Sequence, residues 1–381
     1  MANMFTKIKW KHFLNYIVIA IVAIVFGVMS LAGGLSSSTI YLLEKIAISI
    51  ILAVSLSVVV GFLGELSLGH AGFMCVGAYL GGKASVLLEP VLGDGFLTLI
   101  VSMVVGGITA ALCGVVIGLP ALRLKGDYLA IVTLAFGEIV RSIFMNTKKE
   151  SFGGSLGLET PRYDKDILFI FAFVFVLITL AVLQNLIRSK HVRAITSIRD
   201  NEIAAKATGI NVTKYKLIVF TISSFFAGIA GVFYSFSNFT VQSSKFSYNY
   251  SIEILVMVVL GGMGSINGSI IAATLITFLD VKLQTILTGD LAVLQDLFYA
   301  LILIVIVIYN NAPALKGFRE THNIKNLFAK IAKNAHNPAT QRDDEAKWDR
   351  VPTKISMDEV LSVDLQPQTS YTPDKPEKEG K

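Results

Sequence analysis

The chain has 381 residues, 54% of them hydrophobic and only 16% charged, with a formal net charge of +6. A soluble domain carries about a quarter charged residues; here the charges gather in residues 1–13 and 312–381 and leave apolar runs between them. The mean hydropathy of +0.66 agrees with a chain built for lipid.

A bilayer core requires about 20 apolar residues per helix. Ile17–Leu31, Ile46–Leu63, Phe96–Leu119, Ile167–Leu186 and Leu291–Tyr309 meet or approach that length. None alternates in the way a membrane β-strand does, so the expected class is an all-α polytopic membrane protein. Lys7, Lys9 and Lys11 precede the first run as in a signal peptide, but the run is long and no small-residue cleavage site follows. It reads as a helix that stays. The segment 188–216 holds seven basic and two acidic residues between apolar helices, which marks it as cytoplasmic. The basic excess is therefore a topology signal and does not call for nucleic acid.

With residues 1–13 and 188–216 both inside, the spans fall at about 14–33, 41–63, 68–88, 96–118, 127–145, 167–187, 217–237, 250–264, 267–288 and 291–311. That predicts roughly ten helices with both termini cytoplasmic. The segments 68–88 and 250–264 are Gly-rich or short, as broken or re-entrant helices are. The domains are then a cytoplasmic segment 1–13, a transmembrane domain 14–311 and a cytoplasmic tail 312–381. The tail mixes both charge signs, has few aromatic residues and is expected to be largely disordered beyond about 337.

Four stretches carry candidate functional residues. In the first, Gly61–Gly82, small residues stand where a spanning helix favours Leu, and Glu65, Ser67, His70 and Gly72 lie at the break. Polar groups at membrane depth face a pathway or gate; capping helices at the cytoplasmic interface is the alternative. Gly77, Gly82 and Lys83 match part of a phosphate-binding loop, but Ala84 lacks the Mg²⁺-binding hydroxyl and no strand precedes it.

In the second, Leu122–Arg141, Asp127 stands at an N-cap position, and Glu138 and Arg141 share a helix face at i,i+3. They form a structural ion pair or touch substrate. The third stretch, Ser197–Lys216, predicts a short cytoplasmic helix capped by Asp200 or Asn201 and ended by Gly209. It is suited to a cleft on a partner, or is a solvated amphipathic loop. In the fourth, Gly261–Ser269, Gly262 and Gly264 make a flexible break, with Glu253 one helix earlier as a pathway residue or the partner of a cation.

Together and in this order, the stretches resemble the LivM-type permease subunit of branched-chain amino acid ABC importers, over about residues 40–317. The resemblance rests on Gly64–Phe73, on Gly126–Arg141, on Gly153–Leu158, on Val259–Ser265 and on Pro313–Gly317. It implies a bacterial or archaeal inner-membrane location and a LivH-type permease partner. It also implies two ABC ATPase subunits that hold ATP and Mg²⁺, and an extracytoplasmic solute-binding protein. This chain would hold no cofactor or metal and have no catalytic residues. Arg199, Asp200, Glu202, Ala204, Ala205 and Gly209 resemble the ATPase-coupling motif, with Glu202 one position early and Ile203 in the usual Glu place. Glu65 stands where the family commonly has Gln. Urea, short amides and other amino acids remain open as substrates. An ion-coupled transporter using Glu138, Glu253 and Asp280 is the rival class, and a membrane enzyme centred on His70 lacks any clustered partner residues.

Overall fold

The structure is a computed structural model that describes residues 14–286, except 94, 95, 125, 162 and 164, together with positions 297, 300, 301, 304 and 308. The chain divides into Met1–Asn310 and Asn311–Lys381, and every described residue belongs to the first unit. The expected segment 1–13, the tail 312–381 and most of the span at 291–311 lie outside the described residues.

The most deeply buried spanning helix among the described residues comes second in the chain. Helix α2 (Ser37–Ser57) starts where the Ser36 hydroxyl accepts from the Thr39 N–H at 3.3 Å, and it runs on through one wider π turn, Val58–Leu63. Of its most apolar window, 94% is inside the protein. Helix α1 (Leu14–Leu31) packs on α7 (Lys165–Arg188), and α7 packs against α2. On its other side α3 (His70–Leu92), α4 (Phe96–Ala121) and α10 (Val212–Asn238) pack tightly together. Small residues permit that approach: Gly77 of α3 lies against the backbone of Gly228 in α10 and leaves no room for a Cβ. The partial phosphate-loop match is therefore a helix–helix contact.

Helix α5 (Asp127–Met145) and the single turn α6 (Lys149–Phe152) come next. A two-residue strand β1 (Leu158–Glu159) then pairs antiparallel with β2 (Thr240–Val241), Leu158 opposite Val241, and ties this loop to the end of α10. The basic segment 188–216 holds the helices α8 (Lys190–Asp200) and α9 (Glu202–Ala207). The described chain closes with α11 (Tyr248–Gly261) and α12 (Ile266–Ile286).

Among the described residues, seven helices are long and apolar enough to cross a membrane. The segment expected at 68–88 is one of them, as the continuous helix α3. The segment expected at 250–264 is short: α11 has 14 residues, about 21 Å at 1.5 Å per residue. The outward face of α4 carries Val101, Val104, Ile108, Leu112 and Val116, all exposed. Their i,i+3 and i,i+4 spacing makes an apolar stripe suited to lipid or a membrane-embedded partner. One local expectation needs correction. Asp127 does not cap α5; Gly126 does, with φ +58 and no side-chain bond, and Asp127 is the first helical residue, where its charge meets the positive end of the helix dipole.

Candidate functional site

The π turn ends at Leu63, and six residues, Gly64–Gly69, separate it from α3. This break has no internal ladder, so its backbone groups need other partners. The Leu68 N–H donates to the Thr133 hydroxyl of α5 at 3.0 Å, and the Ala71 N–H to the Ser251 hydroxyl of α11 at 3.1 Å. Ser67 is buried, and its hydroxyl accepts a long bond from the Gly69 N–H at 3.5 Å. His70 is buried at the first position of α3, with Nε2 2.9 Å from the Ser55 hydroxyl of α2. Gly72 packs on Gly137 of α5. Glu65 is buried, and its carboxylate accepts from the ammonium of Lys216, which is only 3% exposed in the second turn of α10. A buried carboxylate opposed by a buried ammonium retains a charge that would otherwise be costly at this depth.

Helices α8 and α9 join the same break. Asn201, not Asp200, caps α9, its Oδ1 accepting from the N–H groups of Ile203 and Ala204 at 3.0 Å each. The helix closes in a Schellman turn: the Gly209 N–H bonds the Lys206 carbonyl at 3.0 Å and the Ile210 N–H bonds the Ala205 carbonyl at 3.1 Å. Gly209 takes φ +84, which a residue with a Cβ adopts only at a cost. Arg199 reaches from the end of α8 to the Gly61 carbonyl, Nη1 to O 3.1 Å, while also pairing with Asp200 at 3.1 Å. Glu202 turns inward, 3.5 Å from the Lys216 ammonium, and pairs with Lys206 at 2.8 Å. On the outer side Ala204 and Ala207 are exposed and Ile203 is 77% exposed. Ala205, expected to face a partner, is buried instead.

The fourth stretch closes the arrangement. The turn between α11 and α12 brings Gly264 against Gly61 with no space for a side chain, and Gly262 and Gly264 both adopt positive φ. Residues that are distant in sequence thus converge on the 61–70 break: Arg199, Glu202 and Lys216 from α8, α9 and the start of α10, Thr133 and Ser251 from α5 and α11, Gly264 from the last turn.

The chain also resembles known proteins. The family described as branched-chain amino acid transport system, permease component, matches residues 38–309. This chain belongs to that family. It is 35% identical over 302 residues to the high-affinity branched-chain amino acid transport system permease protein LivM of Escherichia coli, covering 71% of this chain and 68% of that protein. The Salmonella typhimurium LivM matches equally, at 35% over 302 residues. A probable LivM of Methanocaldococcus jannaschii is 30% identical over 193 residues, covering 47% of this chain and 54% of that protein. No solved structure matches the chain. The protein is thus a multi-pass membrane permease component, a transport subunit and not an enzyme.

Two of the permease's expected pathway residues lie away from the break. Glu138 pairs with Arg141 at 2.8 Å, and its other oxygen accepts from the Tyr248 N–H at 2.9 Å. It therefore serves the start of α11, a partner invisible in the i,i+3 pattern. Glu253 lines a cavity at the opposite end of the permease from α8 and α9. Sequence reasoning missed Lys216, counted only as a topology charge. Its signal was register: Val212, Lys216, Val219 and Phe220 share the buried stripe of α10.

Proposed function

We propose that this permease forms half of the translocation pathway of an ATP-driven importer of branched-chain amino acids. The other half is a LivH-type permease subunit, and an extracytoplasmic solute-binding protein delivers the cargo. Two ATPase subunits, which hold ATP and Mg²⁺, dock on the cytoplasmic side against Arg199, Asp200, Ala204 and Gly209, with Ile203 as the apolar contact. The chain spans the inner membrane of a bacterium or archaeon about ten times, with both termini cytoplasmic, and binds no cofactor of its own.

The observation that carries this reading is the bonding of the cytoplasmic loop to the 61–70 break, Arg199 to the Gly61 carbonyl and Lys216 to Glu65 and Glu202. A force applied to α9 reaches the polar break through these bonds without crossing flexible chain. ATP-driven rearrangement of the docked subunits would then shift the break between two arrangements, with Glu65, Ser67, His70 and Gly72 as its gate and Gly262 and Gly264 as its hinge. The work comes from the different affinity of ATP for the two states.

The test is uptake of radiolabelled L-leucine together with recovery of the ATPase subunits. Gly209→Trp and Arg199→Glu should each abolish uptake. Normal uptake with intact ATPase association in both variants would overturn the docking role. Uptake that continues after the ATPase subunits are deleted would instead favour an ion-coupled transporter.

A further inference from the structure

At the end of the bundle opposite α8 and α9 lies a cavity of about 360 Å³ between α2, α10, α11 and α12. It falls within the roughly 300–1,000 Å³ of small-molecule sites. Its walls hold charges of both signs: Lys45 and Lys245, and the carboxylates of Glu253 and Asp280. Lys45 and Asp280 stand 3.9 Å apart, each about a quarter exposed, a separation too wide for a hydrogen bond. Gln284 holds the Asp280 carboxylate through bonds of 3.1 and 3.2 Å. The Thr277 hydroxyl, one turn before Asp280, is buried and lines the same cavity, with no hydrogen-bond partner among the described residues. A buried polar atom left unsatisfied in a cavity is an open position for a ligand's donor or acceptor. Ile48 and Phe246 complete the lining with apolar surface.

We infer that this cavity is a receiving site for a zwitterionic α-amino acid. The ligand carboxylate lies toward Lys45 and Lys245, its ammonium toward Asp280 and Glu253, and its aliphatic side chain against Ile48 and Phe246. Thr277 supplies a hydrogen bond to the ligand's polar end. A zwitterion presents an anionic and a cationic end to walls that carry both charges, which a ligand with one charge does not. The inference deepens the importer reading and rests on amino acids being its cargo. It also positions the cargo: α10 has 27 residues, which sets this site roughly 40 Å from the cytoplasmic helices, on the face where a binding protein would unload.

The experiment measures equilibrium binding of radiolabelled L-leucine to the full chain purified with the subunits that accompany it, without nucleotide or binding protein. Competitors are 4-methyl-2-oxopentanoate, which lacks the ammonium, and 3-methylbutylamine, which lacks the carboxylate. Saturable binding is expected, displaced by L-isoleucine and by neither half-analogue. Asp280→Asn and Lys45→Gln should each weaken it about tenfold or more, as loss of a charge-assisted contact does, while Lys45→Arg retains it within about threefold. Where a charge variant does not fold, the near-isosteric Thr277→Val carries the test, with an expected loss of about fivefold. Absence of saturable leucine binding, equal displacement by the keto acid, or wild-type affinity in the folded variants would overturn the site. Failure here is separable from failure of the importer reading: leucine uptake by wild-type cells without measurable binding removes only the site, and absence of uptake removes the importer reading.

Discussion

Lys216 and Glu65 form an ion pair across 151 residues of sequence, inside the protein, where the base of α10 meets the break between α2 and α3. Glu202 of the cytoplasmic helix shares the same ammonium. One cation thus holds together the part expected to receive force and the part expected to open.

Removing that cation alone should be worse than removing the pair. Lys216→Met leaves two carboxylates facing each other in a buried space and should cost about 3 kcal/mol or more. Adding Glu65→Gln should restore a large part of the loss, since the uncompensated charge disappears with it. A double-mutant cycle on the thermal unfolding of the detergent-purified protein reads the coupling directly. Strictly additive losses would show that the two side chains act independently.

Ile203 is 77% exposed on α9, so Ile203→Asp should leave stability of the chain within about 0.5 kcal/mol. Association of the ATPase subunits should nevertheless weaken about tenfold or more, because a charge enters an apolar contact. Co-purification against a titration of the ATPase subunit measures it. Unchanged association would remove Ile203 from the docking face.

Gly209 separates conformational strain from steric conflict. Nothing lies within 4 Å of where its Cβ would be, yet its φ is +84. Gly209→Ala should therefore destabilise the turn by about 1–2 kcal/mol through the backbone alone, and Gly209→Asn by less, because Asn tolerates the left-handed region. Hydrogen exchange at the amides of 205–210 should rise in that order. Equal exchange in the wild type and both variants would mean that the Schellman turn does not hold the helix end.

Glu138 accepts from the first N–H of α11 while pairing with Arg141. Glu138→Ala should cost about 1–2 kcal/mol as a lost cap and raise exchange at the start of α11. Arg141→Met should leave the capping bond intact and cost less. If both variants behave alike, the carboxylate serves the ion pair and not the helix end.

Much of the fold was legible from local pattern. Apolar run length marked the spanning helices, but not that α2 would be the one buried on nearly all sides. The Gly209 turn and the Glu138–Arg141 pair involve neighbours within a few residues, so spacing pointed to them, while it left the α9 cap open between Asp200 and Asn201. Glu65, Ser67 and His70 were legible as polar residues in an apolar setting, but their partners were not. Thr133 and Ser251 are hydroxyls of a kind found throughout the chain, and nothing nearby in sequence marks them as the groups that satisfy Leu68 and Ala71.

The sequence by itself determined that this protein lies in a membrane, which segments are helical, and where the chain breaks. Hydrophobic length, capping and turn preference are properties of a few consecutive residues. Only the tertiary structure decided that four separate stretches meet at Gly61–His70, that Ala205 turns inward, and that Lys45 comes within 3.9 Å of Asp280 at the other end. A buried polar group takes whichever partner helix packing brings within about 3 Å, and that choice is set by the small residues that let particular helices approach. The break first noticed as a run of glycines thus becomes the point where α8, α9 and the base of α10 are bonded to the chain between α2 and α3.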